Sequence, residues 1–406
     1  TNHQGLPVLL RLVLRIIKEL LEKQKHNPAG ASKAQHTDLR SLRHYVKMKL
    51  ASARFNANAA IRITQHIQAF PPPVMNSPIP VVKPIRISLI LPVYNVADYL
   101  HECLQSIIDQ SPGFTIEALL VEDCSADHSL QICEEYAQQH PDLFKLVVNV
   151  ENQGVSVARN IGLDNACGDY FMFVDPDDVL PMDALQNLYA AATRNDSDIV
   201  KGNNTIFTEH SEHDARYNVS SESMIRGDEV LVALFRHSQV RGHPWGKMFN
   251  RQRLGSIRFP VGVRMAQDLY YCGEVFSVAR SLLLIDKPVY RYRNRETGST
   301  GRKYETDAYL HWLDSVEKIG SFAHSPKQIN AHRALQVRTM AQIARECRKI
   351  APDVAAPVLA TIEQKCTAWN IRLMNIMTGN GGGLLSLGRF LKLQLALYQI
   401  RRSLAR

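Results

Sequence analysis

Short apolar runs alternate with amphipathic segments between Ile85 and Val200, and this alternation restricts the fold more than any other feature of the chain. The apolar runs have the length of buried strands, whereas the intervening segments repeat apolar residues at helical spacing. Such alternation predicts an α/β fold with a parallel sheet covered on both faces. The predicted strands are Arg86–Val93, Ala118–Val121, Leu143–Val148, Tyr170–Val174 and Asp198–Val200, and the predicted helices are Ala97–Gln110, Ser129–Gln139, Val155–Ala166 and Ala184–Thr193.

The fourth predicted strand runs directly into three carboxylates, Asp175, Asp177 and Asp178. Acids this close repel one another and cost stability unless a cation lies among them. An Asp-x-Asp after a strand is common on its own, because such acids often cap the next helix. Asp183 is a candidate for that cap, so the three acids are not needed to cap the helix. We therefore predict a divalent cation site that faces a phosphate-bearing ligand.

Other polar groups follow the neighbouring strands. Asn95 follows the first strand, Asp123 follows the second, and Arg159 lies on the helix after the third. Because ligands bind at the carboxyl ends of strands in α/β sheets, we expect one crevice to collect these groups and the carboxylates. Plainer roles are also open: Asn95 and Asp123 suit turns or helix caps, and Arg159 suits a surface ion pair.

The formal net charge of +9 is concentrated near the end of the chain. Residues 367–406 contain no acid and six basic side chains, which favours contact between one end and an anionic surface over a nucleic-acid groove. Residues 384–406 have the pattern of a helix lying in an anionic membrane interface, the alternative being a helix packed on the N-terminal helix Leu6–Gln24. The seven cysteines are scattered without a Cys-x-x-Cys pair, which favours a reducing cytoplasm.

The sequence divides into five predicted segments. Residues 1–70 form a helical N-terminal extension, residues 71–84 a proline-rich linker, and residues 85–303 the α/β domain. Residues 304–378 form a helical C-terminal region, and residues 379–406 a basic amphipathic, membrane-associating helix. The Leu6–Gln24 helix is suited either to the same membrane surface or to self-association as a homo-oligomer.

Four motifs in order resemble those of the family 2 glycosyltransferases, which have the GT-A fold. They are Pro92–Asn95, Val121–Asp127, Asn152–Gly162 and Gly168–Asp178. Glu122 stands where Asp is usual in the family and Cys124 where Gly is usual. The resemblance covers about Ile87 to Thr300. It implies a Rossmann-like, nucleotide-sugar-binding GT-A domain, here with helical N- and C-terminal extensions.

The resemblance also implies a set of donor-binding residues. Asp123 would accept a hydrogen bond from the nucleotide base, Arg159 would hold the base pocket or the diphosphate, and Asp175 would contact the ribose or sugar. Asp177 would ligate Mg²⁺ or Mn²⁺, because a diphosphate leaves only when its developing charge is neutralised. Arg293 is the best cation in a stretch that closes over the diphosphate in the family. The full implied donor set is Pro92, Tyr94, Asn95, Asp123, Arg159, Asp175 and Arg293.

The resemblance places the acceptor side in the second half of the domain. Asp268 is the implied general base, which takes a proton from the acceptor hydroxyl as that oxygen attacks opposite the leaving diphosphate and inverts the anomeric centre. Its alternative role is to cap the helix at Leu269. Trp245 and Lys247 belong to a segment near the acceptor in the family, and Gln267 replaces the more usual Glu.

Together these observations predict a cytoplasmic, peripherally membrane-bound inverting enzyme that moves a sugar from a nucleotide sugar, most naturally a UDP-sugar, to a glycan or lipid-linked acceptor. The resemblance points to bacterial surface polysaccharide synthesis, and a single Asp-x-Asp site disfavours a polymerase that alternates two sugars. A nucleotidyltransferase is the first alternative, but it needs a glycine-rich phosphate loop where the chain has Pro92–Asn95. A non-catalytic membrane scaffold is the second, and the presence of both Asp177 and Asp268 argues against it.

Overall fold

The computed structural model describes residues 84–263, 265–295, 306–347 and 350–377. All of them belong to one compact unit, Val82–Arg406. The predicted N-terminal extension, residues 71–83 of the predicted linker and the predicted membrane-associating helix 379–406 lie outside the described residues.

Within these ranges the strands form a single mixed sheet in the order β3-β2-β1-β4-β8-β5-β9-β7, with β6 paired to β5. The strands are β1 Ile85–Val93, β2 Thr115–Glu122, β3 Phe144–Val148, β4 Tyr170–Phe173, β5 Ile199–Phe207, β6 Glu212–Asp214, β7 Ser223–Arg226, β8 Lys247–Asn250 and β9 Ser281–Arg293. The helices are α1 Ala97–Ile108, α2 Ser129–Gln139, α3 Val155–Asn165, α4 Ala184–Asn195, α5 Asp228–Arg236, α6 Arg251–Leu254, α7 Gln267–Val278, α8 Thr306–Lys318, α9 Pro326–Glu346 and α10 Pro352–Met377.

The parallel arrangement holds from β1 to β4 and fails beyond it. β1 pairs in parallel with β2 and β4, and β2 with β3, as predicted. β8 is inserted antiparallel between β4 and β5, so the prediction of an all-parallel sheet is wrong. An antiparallel strand begins where its neighbour ends. The first residue of β8, Lys247, therefore lies at the edge of the sheet where β4 delivers its carboxylates.

Helices cover both faces of the sheet, and each face has its own apolar core. Alternate side chains of β1 divide between the two cores: Leu89 and Leu91 pack with α1, α2 and α4, whereas Ile90 packs with α3, α5 and α7. Burial of each large apolar side chain contributes about 1.5–3 kcal/mol. The alternation of side chains along each strand fixes which helices lie on which face.

The turn before β4 is held by a buried polar network. The carboxylate of Glu117 accepts hydrogen bonds from the Ser88 hydroxyl (2.6 Å), the Cys167 main-chain nitrogen (2.7 Å) and Lys145. Gly168 follows, where an added Cβ would lie 2.6 Å from the Ser88 main-chain nitrogen. Only glycine fits so close to a neighbouring main chain, and this approach sets the start of β4.

The helical region after β9 packs against the face of the sheet that carries α5 and α7. Ser325 begins α9 with a reciprocal capping box that includes Gln328. Arg338 of α9 donates to the carbonyls of Phe235 and Arg236 at the end of α5, which satisfies groups that the helix itself leaves unpaired. The C-terminal helices therefore brace α5.

None of the helices in the described ranges is both long enough and apolar enough to cross a membrane.

Candidate active site

The three carboxylates predicted to bind a cation lie together after β4. The side chains of Asp175 and Asp177 are 24% and 17% exposed, and Asp178 is fully buried. Burial, followed by the charge of Asp175, raises the pKa of Asp177, and the same two causes together with Asp177 raise the pKa of Asp178 well above its usual value. The hydroxyl of Tyr290 accepts a hydrogen bond from the Asp175 main-chain nitrogen (3.0 Å) and fixes the chain here. The cluster therefore carries the mutual repulsion that a bound cation would relieve.

A guanidinium already contacts this cluster. Arg295 Nη2 lies 2.5 Å from Asp177 Oδ2, and its guanidinium lies 4.8 Å from the centre of the Tyr99 ring. No described group of three or more His, Cys, Asp or Glu side chains forms a complete metal site. Mg²⁺ and related ions are commonly held by one or two carboxylates plus phosphate oxygens of the substrate. The residues present fit that kind of shared cation site, and in this structure Asp177 pairs with Arg295.

Arg159 joins the carboxylate cluster to the predicted base. It is 3% exposed, so the alternative role in a surface ion pair is excluded, and its role in donor binding stays a prediction. Nη2 binds Asp175 Oδ1 (2.9 Å) and Nη1 binds Asp268 Oδ1 (2.5 Å), while the guanidinium lies 5.1 Å from the centre of the Phe259 ring. Burial alone would lower the pKa of Arg159, but the two carboxylates raise it, so the side chain stays charged. One buried cation thus fixes two acids that come from distant strands and helices.

Asp268 is the second residue of α7 and does not cap that helix. The N-cap position is Ala266, which has a φ of 60° and makes no side-chain cap bond. The Asp268 side chain is 27% exposed, and no described residue hydrogen-bonds to its Oδ2. Burial raises the pKa of Asp268, partly offset by Arg159. A carboxylate with one anchored oxygen, one oxygen without a described partner and a raised pKa has the attributes of a general base. Gln267 is half-buried beside it.

Two loops at the ends of β1 and β2 are joined by side-chain to main-chain hydrogen bonds. Asn95, in the left-handed conformation with a φ of 47°, accepts from the Ala126 nitrogen (2.8 Å) and donates its own main-chain nitrogen to Ser125. Asp127 accepts from the Ala97 nitrogen at the start of α1 (3.0 Å). The turn role that was open for Asn95 is thus present, and the loops are fixed relative to each other. Beside them Tyr94 is 48% exposed, and Pro92 is buried.

Asp123 organises the loop after β3. Its Oδ1 accepts from the Asn149 side chain (2.7 Å) and the Gln153 nitrogen (3.0 Å), and its Oδ2 accepts from the Gly154 nitrogen (2.7 Å). The side chain is almost fully buried. Each of its oxygens is therefore already bound in this structure, and its contact with a nucleotide base stays a prediction.

Arg293 is held by the protein rather than exposed as part of a solvated run of charges. It pairs with Glu102, and its Nε donates to the Asp177 carbonyl (2.9 Å). Its guanidinium lies 5.2 Å and 4.5 Å from the centres of the Tyr99 and Phe207 rings. This arrangement brings Arg293 to the carboxylate cluster through the main chain of Asp177, and its contact with the diphosphate stays a prediction.

The acceptor-side segment is mostly buried. Trp245 stacks between His243, at 3.5 Å between ring centres, and Tyr290, at 4.8 Å, so its contact with an acceptor stays a prediction. Lys247 is fully buried, and its Nζ donates to the His243 carbonyl (2.6 Å). Burial lowers the pKa of Lys247 to about 8.

The structure thus brings together five of the predicted residues: Asp175, Asp177, Arg159, Asp268 and Arg293. It adds Arg295, which pairs with Asp177, and Tyr290, which accepts from the Asp175 main-chain nitrogen. The one sequence signal for Tyr290 was its alternation with Arg291 and Tyr292, which is typical of a strand with one buried face.

The family model described as "Glycosyl transferase family 2" matches residues 88–266. Glycosyltransferase GlyA of Streptococcus pneumoniae is 32% identical over 263 residues, and the chain spans 36% of its length. The minor teichoic acid biosynthesis protein GgaB of Bacillus subtilis is 33% identical over 232 residues, with 25% of its length spanned. The matches cover 62% and 56% of this chain, respectively.

The uncharacterised glycosyltransferase YibD of Escherichia coli is 34% identical over 240 residues, which are 58% of this chain and 69% of that protein. Among solved structures, S. aureus TarS 1–349 in complex with UDP has a TM-score of 0.55 at 17% identity, covering 79% of this chain and 92% of that one. That likeness shows a shared fold. The fold prediction is confirmed, and the chain belongs to glycosyl transferase family 2.

Proposed function

We propose that this chain is an inverting glycosyltransferase that moves a sugar from a UDP-sugar to a hydroxyl of a glycan or lipid-linked acceptor, with Asp268 as general base and a divalent cation at Asp177. The observation that carries the proposal is the continuous network Asp175–Arg159–Asp268. It holds a cation-binding carboxylate cluster and an anchored base at the same edge of the sheet.

The donor side rests on the groups around β4. Asp177 would hold Mg²⁺ or Mn²⁺ together with donor phosphate oxygens, with Asp175 turned toward the ribose or sugar. When bound, the cation neutralises the charge that develops on the leaving diphosphate. Arg295 must leave Asp177 to admit it, and Tyr290 keeps the Asp175 main chain in position meanwhile.

The acceptor side rests on Asp268. Arg159 anchors Oδ1, which leaves Oδ2 to accept the proton of the attacking hydroxyl. Burial raises the pKa of Asp268, which strengthens it as a base, while the charge of Arg159 favours its ionised form. In the proposed reaction the acceptor hydroxyl attacks opposite the leaving diphosphate, so the anomeric centre would be inverted. The base and the cation site are separate groups joined by Arg159, which is compatible with this arrangement.

The relatives support the choice of donor and setting. TarS was solved with UDP and with UDP-GlcNAc, and the Bacillus spizizenii relative, 35% identical over 217 residues, is named a poly(ribitol-phosphate) beta-glucosyltransferase. We propose a UDP-sugar donor and a place in the synthesis of a bacterial surface polymer. Attachment of residues 384–406 to an anionic membrane belongs to the same proposal.

Nucleotide release tests the proposal directly. The full chain is incubated with UDP-, GDP-, dTDP- and CMP-sugars, with Mn²⁺ or with EDTA, and released nucleotide is measured. We expect metal-dependent release from a UDP-sugar that is lost in Asp177→Ala. Asp169→Asn is the matched control, because Asp169 lies just before β4 at its other end and, among the described residues, its side chain pairs with Arg86 at the surface.

A non-catalytic scaffold with the same fold would give a different result in these assays. It would release no nucleotide and would bind neither UDP nor Mn²⁺ by calorimetry. An enzyme that is silent without its acceptor would still bind both, and Asp268→Asn would retain that binding while losing transfer.

A further inference from the structure

Two lysines face each other across neighbouring strands inside the protein. Lys201 of β5 and Lys247 of β8 are directly paired in the antiparallel register, and they are 2% and 0% exposed. They lie on the side of the sheet that carries α5 and α7, two residues along from the buried Ile199 and Phe249. No ion pair between either lysine and a carboxylate occurs among the described residues.

The surroundings add positive charge rather than remove it. Lys201 Nζ and the Arg241 guanidinium lie 5.4 Å and 5.0 Å from the centre of the Tyr217 ring. Arg241 contacts His237 through Nη1, but no described residue hydrogen-bonds to its buried Nε. Lys201 Nζ makes one long contact of 3.5 Å, to the Tyr217 carbonyl. We call Lys201, Lys247 and Arg241 the cationic cluster.

This arrangement is costly for a folded protein. Removing a charge from water without a partner costs several kcal/mol, and like charges directly opposite on a sheet are destabilising. Burial, followed by the charge of Lys247, lowers the pKa of Lys201 to about 7. Methionine would fill the same space without that cost. The lysines are therefore better explained by a ligand than by packing.

The position of the cluster indicates which ligand. Lys247 interacts electrostatically with Asp268, the proposed base, and the partly exposed members of the region are Arg241 and His243. The donor carboxylates lie near Cys103 of α1, and one of them, Asp178, also interacts electrostatically with Tyr217. The cluster therefore lies beside the proposed base, on the side of the sheet that carries α5 and α7.

We propose that the cationic cluster binds a phosphate group of the acceptor, next to the hydroxyl that Asp268 deprotonates. This inference rests on the proposed function and specifies its acceptor. Two ammonium groups and a guanidinium supply the several charge-assisted donors that a tetrahedral phosphate accepts. A neutral sugar hydroxyl would not compensate two buried lysines and a partly exposed guanidinium. The phosphate can come from a phosphate-linked polyol polymer or from the diphosphate of a lipid carrier.

Calorimetry on the full chain tests the phosphate site, with saturating UDP and Mn²⁺ present to fill the donor side. Glycerol 3-phosphate is titrated at pH 8 in two buffers of different ionisation enthalpy. We expect binding with proton uptake, because an anion raises the pKa of Lys201, which is mostly neutral at that pH. The other groups that face the cluster are His237, His243, Tyr217, Cys272, Asp268 and Arg338.

Lys201→Met should weaken this binding on the order of 10- to 100-fold and abolish most of the proton uptake. Lys247→Met is the second variant, so that the test does not depend on the folding of a single variant. Lys287→Met is the matched control on an exposed part of β9, and glycerol is the neutral control ligand. Absence of binding in the wild type would overturn the proposal. So would an affinity and a proton uptake in both cluster variants equal to those of the wild type.

Transfer assays then distinguish the two sources of phosphate. One arm offers a glycerol- or ribitol-phosphate oligomer, and the other offers a sugar on a prenyl diphosphate. The arm whose transfer falls in Lys201→Met but not in Lys287→Met identifies the source. Transfer to carboxylate-bearing acceptors alone would contradict a phosphate site. If the wild type does not bind UDP, that result would count against the proposed function instead.

Discussion

Substitution of Arg159 by methionine probes the centre of the active site. Methionine keeps much of the apolar stem over Phe259 but leaves Asp175 and Asp268 without their shared cation. Removing one partner of a buried ion pair costs about 3–5 kcal/mol. Both carboxylates are about a quarter exposed, so water offsets part of the loss, and we expect about 3 kcal/mol at pH 8.

The loss should depend on pH in a defined direction. Without Arg159 the folded-state pKa of Asp268 rises further above its unfolded value. A group of this kind destabilises the fold as pH rises through the interval between the two values, and it ceases to do so when protonated in both states. A tenfold change in the acid dissociation constant corresponds to about 1.4 kcal/mol. The variant should therefore lie closer to the wild type at pH 5 than at pH 8.

Urea unfolding of both proteins at the two pH values measures this effect. With a slope of about 3 kcal/mol per molar, the midpoint at pH 8 should fall by about 1 M. In an Asp268→Asn background the same substitution should cost less, because one of the two carboxylates is then absent. A loss under 1 kcal/mol, or an equal loss at both pH values and in both backgrounds, would refute the reasoning.

Three further predictions concern the scaffold of the site. Gly168→Ala places a Cβ against the β1 main chain, and chemical denaturation should show a loss of about 1–3 kcal/mol. Burial alone would raise the pKa of Glu117, but hydrogen bonds, the largest from Lys145, outweigh it and lower that pKa, so the stabilisation is present at neutral pH and lost as pH falls through the folded pKa. Melting curves from pH 7 to 3 should therefore show a flatter acid limb in Glu117→Gln, and an unchanged limb would contradict this. Tyr290→Phe removes the acceptor for the Asp175 nitrogen, and urea unfolding should show a cost of about 1–2 kcal/mol, whereas a wild-type midpoint would show that the bond contributes nothing.

Local periodicity was sufficient to predict the elements from β1 to α4. The helix Ser129–Gln139 has the predicted bounds, and most other bounds in this part differ by one to three residues. The pattern is informative here because each parallel strand is buried on both faces and each helix on one. Asp183 illustrates the limit of such reasoning: it occupies the predicted N-cap position in a left-handed conformation and makes no cap bond with its side chain.

Long-range pairing could not be predicted in the same way. The direction of β8 depends on neighbours far along the chain, and its short run of residues, Lys247–Asn250, carries no signal of orientation. The burial of Arg159 could not be predicted either, because its partners lie 16 and 109 residues away along the chain. The motifs identified which groups mattered, but only the tertiary structure joined Asp175 and Asp268 through one cation.

The pairing of β9 with β5 bears on where this domain can be truncated. The family match ends at residue 266, before β9 begins at Ser281. A chain cut there would lose the parallel partner of β5 along most of its length and would leave Ile199 and Val200 at an unpaired, apolar sheet edge. It would also lack Tyr290 and Arg293, which reach back to the carboxylates. Expression work should therefore keep the chain at least through β9, because a boundary drawn at the sequence match would leave β5 and β7 without their shared partner strand.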